Sequence, residues 1–216
     1  MGEPDFARRR EALVSHLRRE GIRDERVLAA IGQVPRERFV PPEFVDEAYV
    51  DRALPIGAGQ TISQPFVVAR MTELLEPRVE HRALEVGTGS GYQTAVLALL
   101  VAEVVSVERH RTLSEEARQR LAGLGIDNIL LVVGDGSAGY PPRAPYDRIL
   151  ITAATPRLPE PVIPQCATGG RIVAPVGERY AQQLTVFVKM NGLSRTVVEP
   201  VKFVPLVGEH AFEENN

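Results

Sequence analysis

The glycine-rich segment at residues 84–91 constrains the fold more than any other part of this 216-residue chain. It reads Leu-Glu-Val-Gly-Thr-Gly-Ser-Gly, and residues 92–100 after it have helix-forming character. A strand, a glycine-rich turn and a helix in succession form the nucleotide-cradling unit of a doubly wound α/β domain. Glycines allow a tight turn and the close approach of a ligand, because they carry no Cβ. The sequence therefore predicts a Rossmann-like sheet with a ligand site at this turn.

The spacing of these glycines indicates the class of ligand. Gly87, Gly89 and Gly91 form G-x-G-x-G, whereas the dinucleotide pattern is G-x-G-x-x-G. Glu85 lies two residues before the first glycine, and its carboxylate would repel a diphosphate. The combination resembles the first motif of S-adenosylmethionine-dependent methyltransferases, whose ligand carries a sulfonium cation and no pyrophosphate. This spacing disfavours an NAD-dependent oxidoreductase, and a turn that only reverses the chain is the simpler alternative.

Two further acids follow predicted strands. Glu108 ends the strand Glu103–Glu108, about 20 residues after the first glycine, where a carboxylate can accept hydrogen bonds from both ribose hydroxyls. Asp135 lies between Gly134 and Gly136 after a third strand, where it can accept a hydrogen bond from an adenine amino group. The alternative for either acid is an ordinary surface position at a strand end.

The rest of the chain is consistent with a single domain over residues 1–216. We expect an N-terminal helical extension over residues 1–60, with helices at residues 6–20 and 25–33 and a loop at residues 54–60. The nucleotide-binding core follows over residues 61–190, and a C-terminal strand and tail occupy residues 191–216. The predicted sheet is mostly parallel with an antiparallel C-terminal strand, and helices cover both faces. Ser63 is the predicted N-cap of a helix that begins at Pro65.

Composition excludes several classes of function. The net charge of −3 and the scattered arginines argue against capture of nucleic acid or of an anionic membrane. A single cysteine, Cys166, excludes an internal disulfide and a multi-cysteine metal site, and we expect no metal site. The N-terminus is charged from Glu3, without a secretory pattern, and the most apolar stretch is too short to span a bilayer. We expect a cytoplasmic, monomeric protein, although the sequence does not determine the oligomeric state.

The chain resembles the protein-L-isoaspartate O-methyltransferases over nearly its whole length. The Thr-Ile-Ser-x-Pro segment and the Val-Pro-Leu segment near the C-terminus are the most particular to that family, and the tail at residues 208–212 departs from the pattern of bacterial relatives. The matching segments are residues 60–65, 84–93, 104–108, 134–136, 146–154, 170–177 and 203–206.

The resemblance implies transfer of a methyl group from S-adenosylmethionine to the free α-carboxylate of L-isoaspartyl residues in damaged proteins and peptides. Such a carboxylate, with a pKa of about 3.5, is ionised at neutral pH and needs no general base. Ser63 is implied as the catalytic position, where it orients the acceptor. The implied acceptor-binding residues are Ser63, Val204, Pro205 and Leu206. The implied cofactor-binding residues are Thr61, Ile62, Ser63, Glu85, Gly87, Thr88, Gly89, Gly91, Glu108, Asp135 and Gly136.

Two alternatives remain at this stage. A methyltransferase that acts on a small molecule or on RNA would share the nucleotide half, and the lability of a carboxyl methyl ester in mild base distinguishes it. A non-catalytic nucleotide-sensing module would bind the cofactor without methyl transfer. The absence of a basic face interleaved with aromatics argues against RNA.

Overall fold

A computed structural model describes residues 5–214 of the chain. Glu3 in the charged N-terminus and the last two residues of the predicted C-terminal tail lie outside the described residues. The five α-helices of the described part are α1 (Phe6–Arg19), α2 (Glu25–Gln33), α3 (Pro65–Leu75), α4 (Tyr92–Ala98) and α5 (Arg111–Ala122). Its strands are β1 (Leu54–Gly57), β2 (Gln60–Ile62), β3 (Arg82–Val86), β4 (Glu103–Glu108), β5 (Ile129–Val133), β6 (Tyr146–Ile151), β7 (Cys166–Glu178), β8 (Ala181–Lys189) and β9 (Leu193–Val201).

Seven of these strands form one sheet in the order β5-β4-β3-β6-β7-β8-β9. The strands from β5 to β7 are parallel, and β8 and β9 continue the sheet in antiparallel pairings. The order reverses between β3 and β6, which pair although two strands separate them in sequence. Ligands of open α/β sheets bind outside the carboxyl ends of the strands at such a switch point. The mostly parallel sheet with an antiparallel C-terminal pair confirms the predicted fold class.

Helical segments cover the two faces of the sheet unequally. The α-helices pack on a single core, which includes Ala83, Val104 and Leu150 of the central strands. The opposite face buries Leu84, Val105 and other residues beneath connections that contain only short 3-10 helices in the described chain. These are Gly136–Ala138, Pro141–Arg143 and Glu160–Val162.

The N-terminal extension is helical, as predicted, and it packs beside α3. Asp24 caps α2 by accepting a hydrogen bond from the Arg26 N–H at 2.9 Å. The Glu73 carboxylate of α3 in turn accepts from the N–H groups of Arg23 and Asp24, at 2.6 and 2.9 Å. Two 3-10 helices, Arg36–Phe39 and Pro42–Glu47, lead from α2 toward β1. The extension is therefore joined to α3 by hydrogen bonds as well as by apolar contacts.

The connection between the extension and α3 differs from the prediction in two respects. Residues 54–60, expected as a loop, form part of an antiparallel hairpin of β1 and β2. The predicted cap at Ser63 is wrong, because Gln64 occupies the N-cap position without a side-chain bond. The Phe66 N–H instead donates to Asp51 Oδ1 at 2.8 Å, so the cap comes from the extension. Pro65 begins the helix as predicted.

Candidate active site

The glycine turn lies at the carboxyl end of β3 and requires glycine at two positions. Gly87 has a φ of +100°, and a Cβ there would overlap the Thr152 hydroxyl. Thr152 Oγ1 donates to the carbonyl oxygens of Val86 and Gly87, at 2.9 and 2.6 Å. Gly91 has a φ of +89°, and a Cβ there would lie 3.1 Å from the Ala117 Cβ of α5. The turn is thus held from β6 on one side and packed closely on α5 on the other.

Glu108 connects the end of β4 to this turn. Its Oε2 accepts a hydrogen bond from the Gly89 N–H at 2.9 Å, and its Oε1 accepts one from the His110 N–H at 2.9 Å. The residue is only 5% exposed. A carboxylate that is oriented by two main-chain donors presents its remaining lone pairs in fixed directions.

Glu85 lies beneath the turn and is fully buried. Its Oε2 accepts from Thr94 Oγ1 at 2.5 Å and from Ser106 Oγ at 2.6 Å, whereas Oε1 has no partner among the described residues. Burial raises the pKa of this carboxyl to about 8. Glu85 therefore supports the turn from behind, largely as the neutral acid at pH 7.

Two cavities adjoin at the glycine turn, and both are bordered by Gln60, Gly87, Glu108 and Ala153. The first has a volume of about 70 Å³. Its other lining residues are Thr61, Ile62, Ser63, Val68, Thr88, Gly89, Ser90, Tyr92, Gln93, Thr152 and Val204. The second has a volume of about 110 Å³. Its other lining residues are Val86, Val107, Arg109, His110, Gly136, Pro205, Leu206 and Val207.

A larger groove of about 610 Å³ begins at Thr61 and Ser63, which also line the first cavity. The groove continues along one side of α3 and past the end of β9. Its other lining residues are Ala53, Gln64, Phe66, Val67, Arg70, Leu184, Glu199, Pro200, Val201, Lys202 and Phe203. Ser63 is therefore placed where a compact cavity meets an elongated one.

The structure brings most of the sequence-predicted residues together at these cavities, and three lie elsewhere. Glu85 and Gly91 line neither cavity, because the first lies beneath the turn and the second packs on α5. Asp135 lies behind Gly136 and borders a separate surface depression. Its Oδ1 accepts from the N–H and hydroxyl of Ser137 at 2.8 and 2.7 Å, and its Oδ2 accepts from the Glu209 N–H at 2.8 Å.

The predicted acceptor-binding residues are also divided between the two cavities. Val204 borders the first cavity with Ser63, whereas Pro205 and Leu206 border the second. In the groove, residues 199–203 occupy the place expected for the Val-Pro-Leu segment. That segment follows β9 outside the sheet and meets the chain after β6 through the Ala154–Pro205 bridge.

Several residues that sequence reasoning missed belong to the site. The first cavity is also lined by Gln60, Tyr92, Gln93 and Thr152. Because Tyr92 and Gln93 directly follow the glycine turn, the sequence could have indicated these two as site residues. Arg36 reaches the Ser63 carbonyl from the extension at 2.8 Å. Nothing in the surrounding sequence distinguishes Arg36 from the scattered surface arginines.

The arrangement can bind and orient ligands without a metal or a nucleophile. Across residues 5–214, no group of three or more His, Cys, Asp or Glu side chains could hold a metal ion. No helix in the described part of the chain is long and apolar enough to cross a membrane. Burial raises the pKa of the Cys166 thiol to about 11, so this thiol is protonated at neutral pH. The chemistry available at Ser63 is hydrogen bonding and positioning.

Sequence comparison identifies the family that this chain resembles. Residues 8–211 match the family profile described as protein-L-isoaspartate(D-aspartate) O-methyltransferase. The protein-L-isoaspartate O-methyltransferase of Methanoculleus marisnigri is 54% identical over 212 residues, which cover 98% of this chain and 96% of the relative. The protein of the same name from Methanopyrus kandleri is 50% identical over 99% of both chains.

Solved structures agree with this result. One protein-L-isoaspartate O-methyltransferase superposes with a TM-score of 0.85 at 30% identity, over 94% of this chain and 67% of the other. A second, from Plasmodium falciparum in complex with S-adenosyl-L-homocysteine, superposes with a TM-score of 0.80 at 27% identity. That match covers 92% of this chain and 98% of the other.

Proposed function

Because this chain belongs to the protein-L-isoaspartate(D-aspartate) O-methyltransferase family, we propose that the two cavities hold its cofactor and that the groove holds its acceptor. The enzyme transfers a methyl group from S-adenosylmethionine to the free α-carboxylate of L-isoaspartyl residues. One observation carries the assignment of the sites: Ser63 borders both the first cavity and the groove. A methyl group that passes from cofactor to acceptor must cross at such a shared border.

The residues of the cavities suit the cofactor. The adenosine half is proposed to occupy the second cavity, where Glu108 would accept hydrogen bonds from the ribose hydroxyls. The methionine half fits the first cavity beside Thr88 and Gly89. When bound, S-adenosylmethionine supplies an electrophilic methyl group on a sulfonium, from which an acceptor oxygen displaces the thioether.

Asp135 remains a proposed adenine contact, although the structure gives it a second role. Three donors already occupy its carboxylate, and one of them, the Glu209 N–H, belongs to the C-terminal segment. A carboxylate has about four lone-pair sites, which leaves one for an adenine amino group. Glu85 is proposed to act on the cofactor only through the shape of the turn, because its side chain is fully buried.

The acceptor is proposed to lie along the groove as a short extended peptide. An isoaspartyl linkage sends the main chain through the side-chain carbonyl, so the α-carboxylate is free to enter at Ser63. A normal aspartyl residue offers its carboxylate at a different distance from the main chain. Displacement of about 1 Å can cost on the order of 100-fold in a reaction that depends on positioning. The groove therefore accounts for a preference between two isomers of equal charge.

Ser63 orients the acceptor in this proposal. The acceptor carboxylate is already ionised at neutral pH, so no residue must remove a proton from it. No base is needed to activate Ser63 either, because its proposed role is to donate a hydrogen bond. Its carbonyl accepts a hydrogen bond from Arg36 at 2.8 Å, which fixes the main chain at this position. The Ser63 hydroxyl or N–H then holds the carboxylate beside the methyl group.

We propose further that the protein is cytoplasmic and monomeric. Among the most exposed large hydrophobic side chains, Tyr180 and Met190 adjoin opposite ends of β8, and Val79 lies between α3 and β3. Scattered apolar residues of this kind are usual on monomers. Light scattering after size-exclusion chromatography should give the mass of one chain.

Methyl transfer to paired peptides tests the function. The purified protein is incubated with S-[methyl-³H]adenosylmethionine and with two peptides that differ only in an aspartyl or isoaspartyl linkage. We expect label on the isoaspartyl peptide alone, and we expect mild base to release it as methanol. Equal labelling of both peptides would contradict the acceptor assignment. Label that is stable to base would contradict carboxyl methylation.

A further inference from the structure

Arg36 is a fully buried arginine at the border between the N-terminal extension and the cavities. Its Nε donates to the Ala48 carbonyl oxygen at 2.8 Å, and its Nη2 donates to the Ser63 carbonyl oxygen at 2.8 Å. Its guanidinium carbon lies 4.8 Å from the centroid of the Tyr92 ring. Its Nη1 has no hydrogen-bond partner among residues 5–214.

The contacts and the burial of Arg36 argue against a purely structural role for this residue. Both of its hydrogen bonds go to main-chain carbonyls rather than to a carboxylate. Burial lowers the pKa of the guanidinium to about 10, so it is still charged at neutral pH. Arg36 forms no salt bridge among the described residues, although Asp51 acts on its charge through space. A buried charge that lacks a direct ion pair is costly, and an apolar side chain of similar volume often stabilises a protein more. The cost indicates a role for the charge itself.

The contacts of Arg36 point to the acceptor site. Ser63 and Tyr92 both line the first cavity, and Ser63 also lines the groove. One guanidinium therefore holds the main chain of the proposed acceptor residue and packs over an aromatic wall of the same cavity. Its charge lies one hydrogen bond away from the position where the acceptor carboxylate is proposed to bind. In a buried setting, where the effective dielectric constant is low, such a charge acts strongly on a nearby anion.

The N-terminal extension also contacts the segment around Ser63 through a second residue, Asp51. Asp51 accepts hydrogen bonds from the Phe66 N–H at 2.8 Å and from Gln64 Nε2 at 3.0 Å. Asp51 thereby fixes the start of α3 immediately after Ser63, while Arg36 fixes Ser63 itself. The Asp51 carboxylate also acts on the Arg36 charge through space, so it reduces the positive potential that Arg36 supplies near Ser63.

We propose that Arg36 is a positioning residue for the acceptor: it fixes the Ser63 main chain and supplies the positive potential that favours an anionic acceptor at the Ser63 end of the groove. This inference rests on the proposed function, because it assumes that a carboxylate binds beside Ser63. It assigns to the N-terminal extension a part in acceptor recognition, and not only in covering the sheet.

Binding of two matched peptides tests the role of the charge. The first is a fluorescent isoaspartyl peptide, and the second is the same peptide with an α-carboxamide in place of the α-carboxylate. Affinities are measured by polarisation at saturating S-adenosylhomocysteine. The wild-type enzyme should bind the carboxylate about tenfold more tightly than the carboxamide, as expected for a charge-assisted interaction. In Arg36→Met this ratio should fall below about threefold, whereas Arg36→Lys, which keeps the charge, should retain most of it.

Two controls separate this role from a loss of stability. Leu17→Ala makes a cavity in the buried part of α1 and should lower the melting temperature without changing the peptide ratio. Cofactor affinity should change less than the peptide ratio in each Arg36 variant, because Arg36 lines neither cofactor cavity and reaches the first only through Ser63 and Tyr92. If Arg36→Met does not fold, Arg36→Gln provides the neutral variant with a donor for the Ser63 carbonyl.

The outcomes distinguish this inference from the proposed function. A wild-type enzyme that methylates the isoaspartyl peptide, together with an unchanged peptide ratio in the neutral variant, would overturn the role of Arg36 alone. A wild-type enzyme that methylates no isoaspartyl peptide would overturn the proposed function. A ratio that collapses in the neutral variant and persists in Arg36→Lys supports the inference.

Discussion

The carboxylate of Glu108 accepts a hydrogen bond from the main-chain N–H of Gly89 at 2.9 Å. The acid at the end of β4 and the glycine turn after β3 are therefore one unit, although 19 residues separate them in sequence. A change at Glu108 is therefore expected to act on the proposed cofactor site directly and also through the turn.

Replacement of Glu108 should weaken cofactor binding. Glu108→Ala removes the proposed bonds to the ribose hydroxyls and the acceptor for the Gly89 N–H. We expect a loss of about 2–4 kcal/mol in cofactor binding free energy, measured by calorimetric titration. Glu103→Ala at the other end of β4 is the matched control, because its carboxylate pairs with Arg82 and Arg143 away from the cavities. Unchanged affinity in Glu108→Ala would remove this acid from the site.

The raised pKa of Glu85 predicts how stability depends on pH. Burial raises the pKa of this carboxyl to about 8 in the folded protein, from its ordinary value of 4.5. The folded state therefore binds more protons than the unfolded state between these values, and stability falls as pH rises through this range. We expect this residue to contribute a decrease of about 2–4 kcal/mol in the free energy of unfolding between about pH 5 and about pH 8.

Glu85→Gln tests that contribution. The amide keeps an acceptor for Thr94 and Ser106 but does not titrate in this range. Urea unfolding at several pH values should show a flatter pH dependence in the variant than in the wild-type protein. Parallel stability curves for the two proteins would show that Glu85 ionises normally.

Ser63→Ala should slow methyl transfer without abolishing it. The loss of one orienting hydrogen bond should cost about 1–3 kcal/mol, or roughly 5- to 150-fold in turnover. Cofactor affinity should change little, and the wild-type rate should be nearly constant from about pH 6 to about pH 8. Ser194→Ala, on β9 away from the cavities, serves as the control.

Two results would contradict this role for Ser63. Complete inactivity of a folded, cofactor-binding Ser63→Ala enzyme would indicate covalent chemistry. A steep fall in the single-turnover rate below pH 7 would indicate a general base.

Gly87→Ala should damage both the fold and the cofactor site. The substitution combines a φ of +100° with an overlap against Thr152. Gly125→Ala is a matched control, because its φ of +67° is also positive but nothing lies within 4 Å of the added Cβ. We expect a loss of about 3 kcal/mol in unfolding free energy for Gly87→Ala and about 1 kcal/mol for the control. Equal losses in denaturant unfolding would mean that the Thr152 contact is unimportant.

Asp135 can be tested for a contact with the adenine amino group. Wild-type enzyme should bind S-adenosylhomocysteine more tightly than its deaminated inosyl analogue, because the analogue lacks the amino donor. In Asp135→Ala this preference should fall by about 1 kcal/mol, measured by competition binding. If Asp135→Ala keeps the preference for S-adenosylhomocysteine but melts at a lower temperature, Asp135 does not contact the adenine. Its role would then be to anchor the C-terminal segment through the Glu209 N–H.

The sequence predicts best those elements whose signals are local. The bounds predicted for α2 and β4 agree with the structure, because a capping aspartate precedes the first and an acid lies at each end of the valine-rich second. The grouping of Glu108 with the glycine turn was also predictable, since the carboxyl ends of adjacent parallel strands meet at one edge of a sheet.

The sequence fails where distant residues determine the local structure. The cap of α3 comes from Asp51, which is 15 residues before Phe66, so the nearby Ser63 was a misleading signal. The hairpin of β1 and β2 contains Pro55, Gly57 and Gly59, which favour turns, and only its pairing identifies it as strand. The burial of Arg36 depends on the packing of the extension against Tyr92, which no local pattern indicates.

The shared wall between the two cavities has a consequence for inhibition. Both spaces are bordered by Gln60, Gly87, Glu108 and Ala153. In the proposed binding mode, adenosine and methionine would each occupy one space and touch the same wall. As separate fragments, each loses its own translational and rotational freedom on binding. A covalent link raises the effective concentration of the second fragment to roughly the millimolar range, so a joined compound binds more tightly than either alone. Fragment linking across Glu108 is therefore a rational route to competitive inhibitors of this enzyme.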